Sequence, residues 1–352
     1  MNNKKVLLPK KPSQSLFPWL WIGTWSMGGE GFGPHDERDS LNVLRAAVKN
    51  NIRHFDTAGF YAHGRSEFLL SKIIRSKREE FFISSKGGLV WERRRMLHRA
   101  SPEELREQLY RSLDRLNTNY LDLYQLHWPD PEIPIHRSIY ALKKLKQDGL
   151  IRYWGVGNLT EEQIREDLDS ELNIPHQVHF NPVHQANEIL SHGKNRCIHC
   201  ITSPLEQGLL ASGKSSRGRA GIGKKDVRNR NPYFSDPQVM QWNTRLDELV
   251  KEHHLSKVSL ILMWICCQPH VHAIIPGPRK IKQLNQILRF LSDIKKGDLL
   301  ASDGKNSILV RDKVRDVIPQ DIWQFLSRGP FGQKSGSCFT IYNAWSLITG
   351  KS

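Results

Sequence analysis

Several patterns that mark secreted or membrane proteins are scarce or missing in this 352-residue sequence. It has only five cysteines, an odd number spread thinly, which favours reduced thiols over a disulfide framework. No run of about eighteen apolar residues occurs, so no membrane-spanning helix is predicted. The basic leader over residues 1–18 lacks the apolar stretch of a signal peptide. We therefore expect a cytoplasmic location.

Acidic residues are also few, with 36 Asp and Glu against 52 Lys and Arg, and the formal net charge is +16. This balance favours anionic partners such as phosphorylated cofactors, nucleic acids or anionic membranes. No helix-turn-helix, RNP or zinc-finger spacing is present, so nucleic-acid binding ranks last among these. Cys197 and Cys200 form a CxxC without a second ligand pair at zinc spacing, and no metal site is predicted.

What the sequence does contain is a regular alternation of short apolar segments with helical patterns. The apolar segments, read as strands, are 19–25, 53–58, 81–86, 120–127, 151–158, 177–180, 198–203 and 272–277. Between them lie amphipathic stretches with helix-start signals, such as the capping box that begins at Ser101. Eight such units predict a parallel (β/α)8 TIM barrel over residues 19–298.

Two regions interrupt the alternation. The first is a long loop after the seventh strand, 205–236, whose segment 214–230 carries seven cations, three glycines and one acid, Asp226. This composition suits a clamp on phosphate groups, with a solvated loop as the alternative. The second is the C-terminal extension, 299–352, which we expect to pack on the barrel. Its aromatic residues include Trp323, Phe331, Tyr342 and Trp345.

Four ionisable residues are predicted to meet at the mouth of the barrel. Asp56, Lys86 and His127 each end a predicted strand, and Tyr61 follows Asp56 in the next loop. A nearby ammonium lowers the pKa of a phenol, and a carboxylate keeps that ammonium charged. Tyr61 could then protonate a developing alkoxide while His127 donates to the same oxygen. No side chain can supply a hydride, so this chemistry needs a nicotinamide cofactor.

Six motifs occur in an order that resembles the aldo-keto reductases. They are FDTAGFY with GRSE, SSKGG, YLDLYQLHWPD, RYWGVGN, SPLEQGLL and IIPGPR, spread over about residues 21–290. The chain looks closest to the branch that includes bacterial reductases and potassium-channel β subunits. The resemblance implies a (β/α)8 barrel, NADPH as the usual cofactor with NADH possible, and a small carbonyl substrate. It also implies that Tyr61 is the acid/base, that Lys86 and Asp56 tune it, and that His127 orients the carbonyl.

The resemblance further implies a set of cofactor-binding positions along a groove. From the nicotinamide to the adenosine end they are Gly23, Thr24, Trp25, Asn158, Gln177, Ser203, Leu205, Gly208, Gly277, Arg279 and Gln283. Arg279 suits a 2′-phosphate. Three positions depart from the family pattern: Gly157 replaces a Ser, Thr202 replaces an aromatic that stacks on the nicotinamide, and Ile287 replaces an Asn. Together these losses predict cofactor binding weaker by roughly one to two decades.

Two functions of different classes are compatible with the sequence. The first is an NADPH-dependent oxidoreductase that reduces an aldehyde or ketone to an alcohol, indicated by the four mouth residues. The second is a cofactor-sensing or partner-binding protein on the same scaffold, indicated by the three departures and by the extension 299–352, which could hold a protein partner. Turnover with small carbonyls separates them.

Overall fold

The computed structural model describes residues 19–29, 31–33, 35–93, 95–168, 171–193, 196–211, 214–296, 300–302, 307–309 and 311–331. The predicted leader over residues 1–18 lies outside these ranges, as do Cys338, Tyr342 and Trp345. Among the residues within them, no helix combines the length and the apolar content needed to cross a bilayer.

Eight parallel strands close into a barrel. They are β1 (Trp21–Gly23), β2 (His54–Asp56), β3 (Phe82–Glu92), β5 (Leu121–Leu126), β6 (Ile151–Gly157), β7 (Ile174–His179), β8 (Cys197–Thr202) and β9 (Val271–Ile275), and β4 (Arg95–Arg99) pairs antiparallel with β3. Each strand pairs with the next in the order β1-β2-β3-β5-β6-β7-β8-β9, and a parallel bridge from Leu20 to Ile274 joins the two ends. The predicted (β/α)8 barrel is confirmed.

Helices surround the barrel, and each lies in a connection between strands or after the last one. They are α1 (Glu37–Lys49), α2 (Arg65–Ile74), α3 (Pro102–Leu116), α4 (Ile135–Gln147), α5 (Glu161–Asp167), α6 (Asn187–His192), α7 (Pro237–Glu252), α8 (Lys257–Cys266) and α9 (Ile281–Lys296). The predicted capping box starts α3: Glu104 N donates to Ser101 Oγ at 3.3 Å, and Ser101 N donates to the Glu104 carboxylate at 3.2 Å. The short α6 was not predicted.

The segment after Lys86 differs from the prediction. The third predicted strand ends at residue 86, but β3 continues to Glu92, turns at Arg93 with φ 44°, and returns as β4. The arginines at the turn interrupt the apolar pattern of the two strands in the sequence. Apolar residues on either side of them pair across the hairpin, as Val90 does with Leu97. A second prediction was also wrong in its bounds, since β7 begins at Ile174 and not at residue 177.

The long connection after β8 consists of short 3-10 turns. They are Glu206–Gly208, Lys214–Gly221, Val227–Arg230 and Pro232–Phe234. We call residues 214–230 the strap and residues 203–208 the cofactor turn. Both lie at the carboxyl end of the strands, where the βα loops of a barrel converge.

The described part of the C-terminal extension contains a small hairpin and two helices. They are β10 (Leu300–Ser302), β11 (Ser307–Leu309), α10 (Arg311–Asp316) and α11 (Gln320–Arg328). Ile322 and Leu326 of α11 are fully buried. The Trp264 indole of α8 donates to Ser327 Oγ at 3.2 Å, and Phe325 stacks on Trp242 of α7 with ring centroids 5.1 Å apart. Helix α11 is therefore packed on α7 and α8.

Candidate active site

The Lys86 ammonium brings three of the four mouth residues together. It donates to Asp56 Oδ2 at 2.7 Å, to the Thr57 carbonyl at 2.8 Å and to the Tyr61 hydroxyl at 3.3 Å. An ammonium has three donors, and these three bonds use all of them. Lys86 and Asp56 are both buried, with 4% and 3% of their surface exposed. The pair therefore forms a charged centre that water does not screen.

The backbone after Asp56 carries Tyr61 back over this centre. Tyr61 N donates to the Ala58 carbonyl at 3.0 Å and begins a 3-10 turn. Within that turn Ala62 and His63 take left-handed conformations, with φ 47° and 56°, before α2 begins at Arg65. Left-handed backbone at residues other than glycine is strained, and such strain concentrates at functional sites.

Burial and charge act in opposite directions on Lys86 and Tyr61. Burial alone would lower the pKa of Lys86, but the Asp56 carboxylate and the Tyr61 phenol raise it, and the net direction is upward. For Tyr61, burial raises the pKa, and the Lys86 charge offsets only part of that rise. Although part of the ring is exposed, the hydroxyl lies at the buried Lys86. The Lys86 charge therefore lowers the Tyr61 pKa as predicted, but burial outweighs it and the net direction is upward.

His127 lies beside this centre as a neutral imidazole. Burial lowers its pKa well below the usual range, and the charges of Lys86 and His98 lower it further. The His127 ring is 5.7 Å from the Tyr61 ring in an edge-on arrangement. Its main chain is fixed from both sides, since Asn158 Nδ2 donates to its carbonyl at 2.9 Å and its N–H donates to Gly87 O at 2.8 Å. A neutral imidazole N–H can donate to a substrate oxygen.

Two residues predicted to contact the cofactor hold Asp56 in this structure. Gln177 Nε2 donates to Asp56 Oδ1 at 2.6 Å and to Gln125 Oε1 at 2.9 Å. Thr24 Oγ1 donates to the Asp56 carbonyl at 3.1 Å. In this structure both residues therefore position the carboxylate that pairs with Lys86.

A cavity of about 160 Å³ runs from the mouth of the barrel along the cofactor turn. Its lining includes Asp56 and Tyr61 together with eight of the predicted cofactor positions: Gly23, Trp25, Ser203, Leu205, Gly208, Gly277, Arg279 and Gln283. The other three, Thr24, Asn158 and Gln177, do not line it. A continuous groove thus joins Asp56 and Tyr61 to Arg279, the residue expected at the adenosine end.

Several further residues of this groove were missed in the sequence. Among them are Ser26, Phe32, Gln207, Arg228 and Gln286. Phe32 and Arg228 come from loops whose position depends on tertiary contacts, so no local motif marks them. For Arg228 a signal existed, because the strap was predicted as a phosphate clamp from its charge.

Contacts between loops close the groove from above. The Arg279 guanidinium donates to the carbonyls of Phe32 and Gly33, and Val227 N donates to Gly31 O at 2.7 Å. Arg228 makes a two-pronged bond to Asp226, at 2.8 and 2.7 Å, and lies 5.5 Å from the Phe32 ring. These contacts narrow the groove. Its volume is therefore below the range of about 300–1,000 Å³ that ligand sites usually enclose.

The three departures from the family pattern have local structural settings. Thr202 lines the groove, where Trp25 and Phe32 supply aromatic surface with their rings 4.8 Å apart. A Cβ at Gly157 would lie 3.0 Å from the His127 carbonyl oxygen, so the backbone of His127 packs closely on this glycine. Ile287 is 2% exposed and lies in the groove lining.

A parallel barrel with a buried Lys–Asp–Tyr centre opening on such a groove is the arrangement of a nicotinamide-dependent carbonyl oxidoreductase. The model of the Aldo/keto reductase family matches residues 20–298, and the chain belongs to that family. It is an NAD(P)H-dependent oxidoreductase that reduces carbonyl compounds.

Known relatives cover most of the chain. The "Aldo-keto reductase YhdN" of Bacillus subtilis is 33% identical over 303 residues, which are 82% of this chain and 89% of that protein. The "NADH-specific methylglyoxal reductase" of Escherichia coli is 30% identical over 291 residues, 76% of this chain and 87% of that protein. Among solved structures, the glycerol dehydrogenase of Gluconobacter oxydans superposes with a TM-score of 0.67 at 26% identity, covering 79% of this chain and 90% of its own.

Proposed function

We propose that Tyr61 is the proton donor in this carbonyl reduction, with Lys86 and Asp56 as its tuning pair and His127 as the donor that orients the carbonyl. One observation carries the proposal: Lys86 Nζ lies 2.7 Å from the Asp56 carboxylate and 3.3 Å from the Tyr61 hydroxyl. A bound nicotinamide supplies the hydride to the carbonyl carbon.

The charges around Tyr61 favour transfer of its phenolic proton to the substrate. The carbonyl oxygen becomes an alkoxide and takes the phenolic proton, and the Lys86 ammonium stabilises the phenolate that remains. The raised pKa of Tyr61 keeps the phenol protonated at neutral pH, so the donor is loaded before the reaction. Neutral His127 donates to the same oxygen without competing for the proton.

We further propose that the groove holds the dinucleotide along the cofactor turn, with Arg228 and Arg279 at its phosphates. Backbone approaches closely there: a Cβ at Gly277 would lie 3.3 Å from Gly23 O, so a side chain would enter the space along the groove floor. Two guanidiniums in one lining suit the phosphates of a dinucleotide. Gln283 in this structure caps α9, since its Oε1 accepts from Arg279 N at 2.7 Å.

We propose NADPH as the preferred cofactor, with NADH as the alternative. Arg279 supports NADPH, whereas the Escherichia coli relative is named NADH-specific. Arg279→Met should raise the KM for NADPH about tenfold or more and leave the KM for NADH nearly unchanged, because only NADPH carries the 2′-phosphate. Equal losses for both cofactors would contradict this assignment.

The role of Tyr61 is tested by Tyr61→Phe in the full-length protein. The variant keeps the ring and removes the proton, so consumption of NADPH with a panel of small aldehydes should fall about 10²–10⁴-fold. Cofactor binding, followed by fluorescence, should persist. Tyr140→Phe is the control, since Tyr140 is 68% exposed on α4. Wild-type turnover in Tyr61→Phe would rule out the proposed proton donor.

A second candidate is a cofactor-sensing or partner-binding role with little turnover. It is favoured by the departures at Gly157, Thr202 and Ile287, and residues 299–352 would then hold a protein partner. Tight NADPH binding without turnover on any carbonyl, together with a partner lost on removal of the extension, would support it. Turnover that requires Tyr61 would reject it.

We propose a cytoplasmic location. Cys197 and Cys200 carry free thiols at buried positions of β8. Free thiols are typical of proteins in the reducing cytosol. Fractionation of cells that express the tagged full-length chain tests this, and recovery with a membrane or secreted fraction would contradict it.

A further inference from the structure

A buried carboxylate belongs to the cofactor turn and has no part in the proposed proton transfer. Glu206 is 0% exposed, and its side chain does not line the groove. It accepts hydrogen bonds from His179 Nε2, Asn181 Nδ2 and Asn231 Nδ2, each at 2.7 Å. A carboxylate only accepts, so His179 must carry a proton on Nε2. A charge this deeply buried persists only when its oxygens are satisfied.

The three donors come from two parts of the chain. His179 ends β7, Asn181 follows it, and Asn231 is the first residue after the strap. Burial would raise the pKa of Glu206, but His179 and Asn181 lower it to about 2. The carboxylate is therefore ionised at neutral pH. It connects the cofactor turn to the end of β7 and to the residue after the strap.

The cofactor turn has a backbone that needs such support. Ser203, Glu206 and Gln207 have φ of 49°, 43° and 53°, in the left-handed region that disfavours residues other than glycine. Such strained conformations persist only where the surrounding structure imposes them. Asn181 Nδ2 also donates to Ser203 O at 3.0 Å, so the amide that binds Glu206 holds the other end of the turn too.

The same carboxylate joins the turn to the strap. Asn231 reaches Glu206 with its amide nitrogen, while its Oδ1 accepts from Tyr233 N at 3.0 Å. From the other side of the turn, Arg228 of the strap donates to the Gln207 carbonyl at 3.2 Å. The turn is thus bonded to Arg228 of the strap and to Asn231, the residue that follows the strap.

A second histidine shields this connection. The His184 ring stacks on His179 with centroids 4.2 Å apart and planes 11° apart, and its Nδ1 lies 2.9 Å from the Tyr233 hydroxyl. Burial lowers the pKa of His184 to about 3, with a further lowering by His179, so His184 stays neutral. It covers the Glu206 pair without adding charge.

We propose that Glu206 is a positioning residue that sets the cofactor turn and links it to the strap. Affinity for NADPH and its rate of release then depend on the bond from Asn231 to Glu206. The inference rests on the proposed cofactor groove. It adds a residue that acts through the turn and the strap and does not itself touch the cofactor.

Two variants test the link, Glu206→Gln and Asn231→Ala. Losing a charge-assisted bond should raise the Kd for NADPH about tenfold or more, measured by fluorescence titration of the full chain. Stopped-flow release should be faster by a similar factor, the KM for NADPH should rise, and kcat at saturating NADPH should not fall. In the double variant the Kd should match that of Glu206→Gln alone, because the Asn231 amide acts on the turn through the Glu206 carboxylate.

Asp122→Asn is the matched control. Asp122 is also a fully buried carboxylate, paired with Arg78 at 2.8 Å and Arg152 at 2.9 Å, but it lies near the amino end of β5, away from the groove. It should lower the melting temperature and leave the Kd for NADPH unchanged. An unchanged Kd in both Glu206→Gln and Asn231→Ala overturns the proposal, and so does an equal rise in Asp122→Asn.

The binding readout separates this inference from the proposed function. A wild-type protein that binds NADPH but turns over no carbonyl would refute the role of Tyr61 and leave the link testable. Should Glu206→Gln fail to fold, Asn231→Ala decides alone, because Asn231 is partly exposed and its truncation leaves the buried pair of Glu206 and His179 intact.

Discussion

Lys86 is the residue that joins the mouth, because one ammonium binds the Asp56 carboxylate and the Tyr61 phenol at once. We predict that Lys86→Met lowers kcat for carbonyl reduction about 10²–10⁴-fold, since the phenolate formed after proton transfer loses its counter-charge. Steady-state kinetics with a small aldehyde checks this.

The chain offers a matched control for that change. Lys257 is another buried lysine, 4% exposed, and it binds Asn243 and Asp247 away from the groove. Lys257→Met should lower the melting temperature without lowering kcat. Equal losses of kcat in the two variants would mean that removing any buried lysine lowers the rate, whatever its position.

The direction of the Tyr61 pKa predicts the alkaline behaviour. In the proposed mechanism reduction needs the protonated phenol, so its rate should fall only as the pH rises through the pKa of Tyr61. Burial raises that pKa above the ordinary value of 10.0, so kcat for reduction should stay level from neutral pH to about pH 10. A fall with a midpoint near pH 8 would indicate that the bound cofactor lowers the pKa.

Sequence reasoning located the mouth residues but not the way in which they are held. The ends of parallel strands converge, so Asp56, Lys86 and His127 could be placed together from the pattern alone. The bond from Gln177 to Asp56 joins residues 121 positions apart, and nothing local specifies it. The net direction of the Tyr61 pKa shift was the second difficulty, because burial of Tyr61 depends on packing that a sequence does not display.

At the scale of elements, the hairpin of β3 and β4 forms part of the mouth. Trp91 of this hairpin stacks on Phe60 at 4.6 Å and donates to the Phe60 carbonyl at 3.0 Å, next to Tyr61. Trp91→Ala should lower kcat/KM about tenfold, because the segment that carries Tyr61 loses its support. Trp91→Phe keeps a stacking ring and should lose less. Unchanged kcat/KM in Trp91→Ala would show that the hairpin is not needed there.

Helix α11 provides a test of how the C-terminal extension contributes to stability. Phe325→Ala removes the ring that stacks on Trp242 and should lower the free energy of unfolding by about 1–3 kcal/mol, seen as a lower melting temperature. Tyr140→Ala, at a 68% exposed site, should change it by less than about 0.5 kcal/mol. Similar melting temperatures for both variants would mean that α11 adds no stability.

Acid stability belongs to the whole molecule, because neutral histidines are buried in several places. Burial lowers the pKa of His54 to about 3 and that of His199 to about 4. The unfolded chain takes up these protons near pH 6.5, whereas the folded chain takes them up only near those lower values. The free energy of unfolding should therefore fall as the pH drops from about 6.5 towards 4.

Chemical denaturation over this pH range measures the effect. Each such histidine should contribute up to about 2 kcal/mol of loss at pH 5. His54 lies between Trp21 and Phe82, so His54→Phe keeps an aromatic ring in the stack and should reduce the slope. An unaltered slope would assign the acid loss to other groups.

The barrel as a whole was more predictable than its loops for a physical reason. Strands and helices repeat a pattern set by burial, and eight repeats suffice to predict closure. The strap lacks such a pattern, since its path depends on single contacts such as Val227 N to Gly31 O and the Arg279 bonds to Phe32 and Gly33. The charge of the strap predicted phosphate groups as its partner, whereas its position depends on the folded structure.

The strap also makes the protein susceptible to proteolysis in a way that depends on its cofactor. Its exposed cations Arg217, Arg219, Lys224 and Lys225 are sites for trypsin, and short 3-10 turns open more readily than helices. A dinucleotide held beneath the strap would have to be released before those turns could enter a protease. Limited trypsin digestion should therefore cut within residues 214–230 and slow down several-fold when NADPH is added.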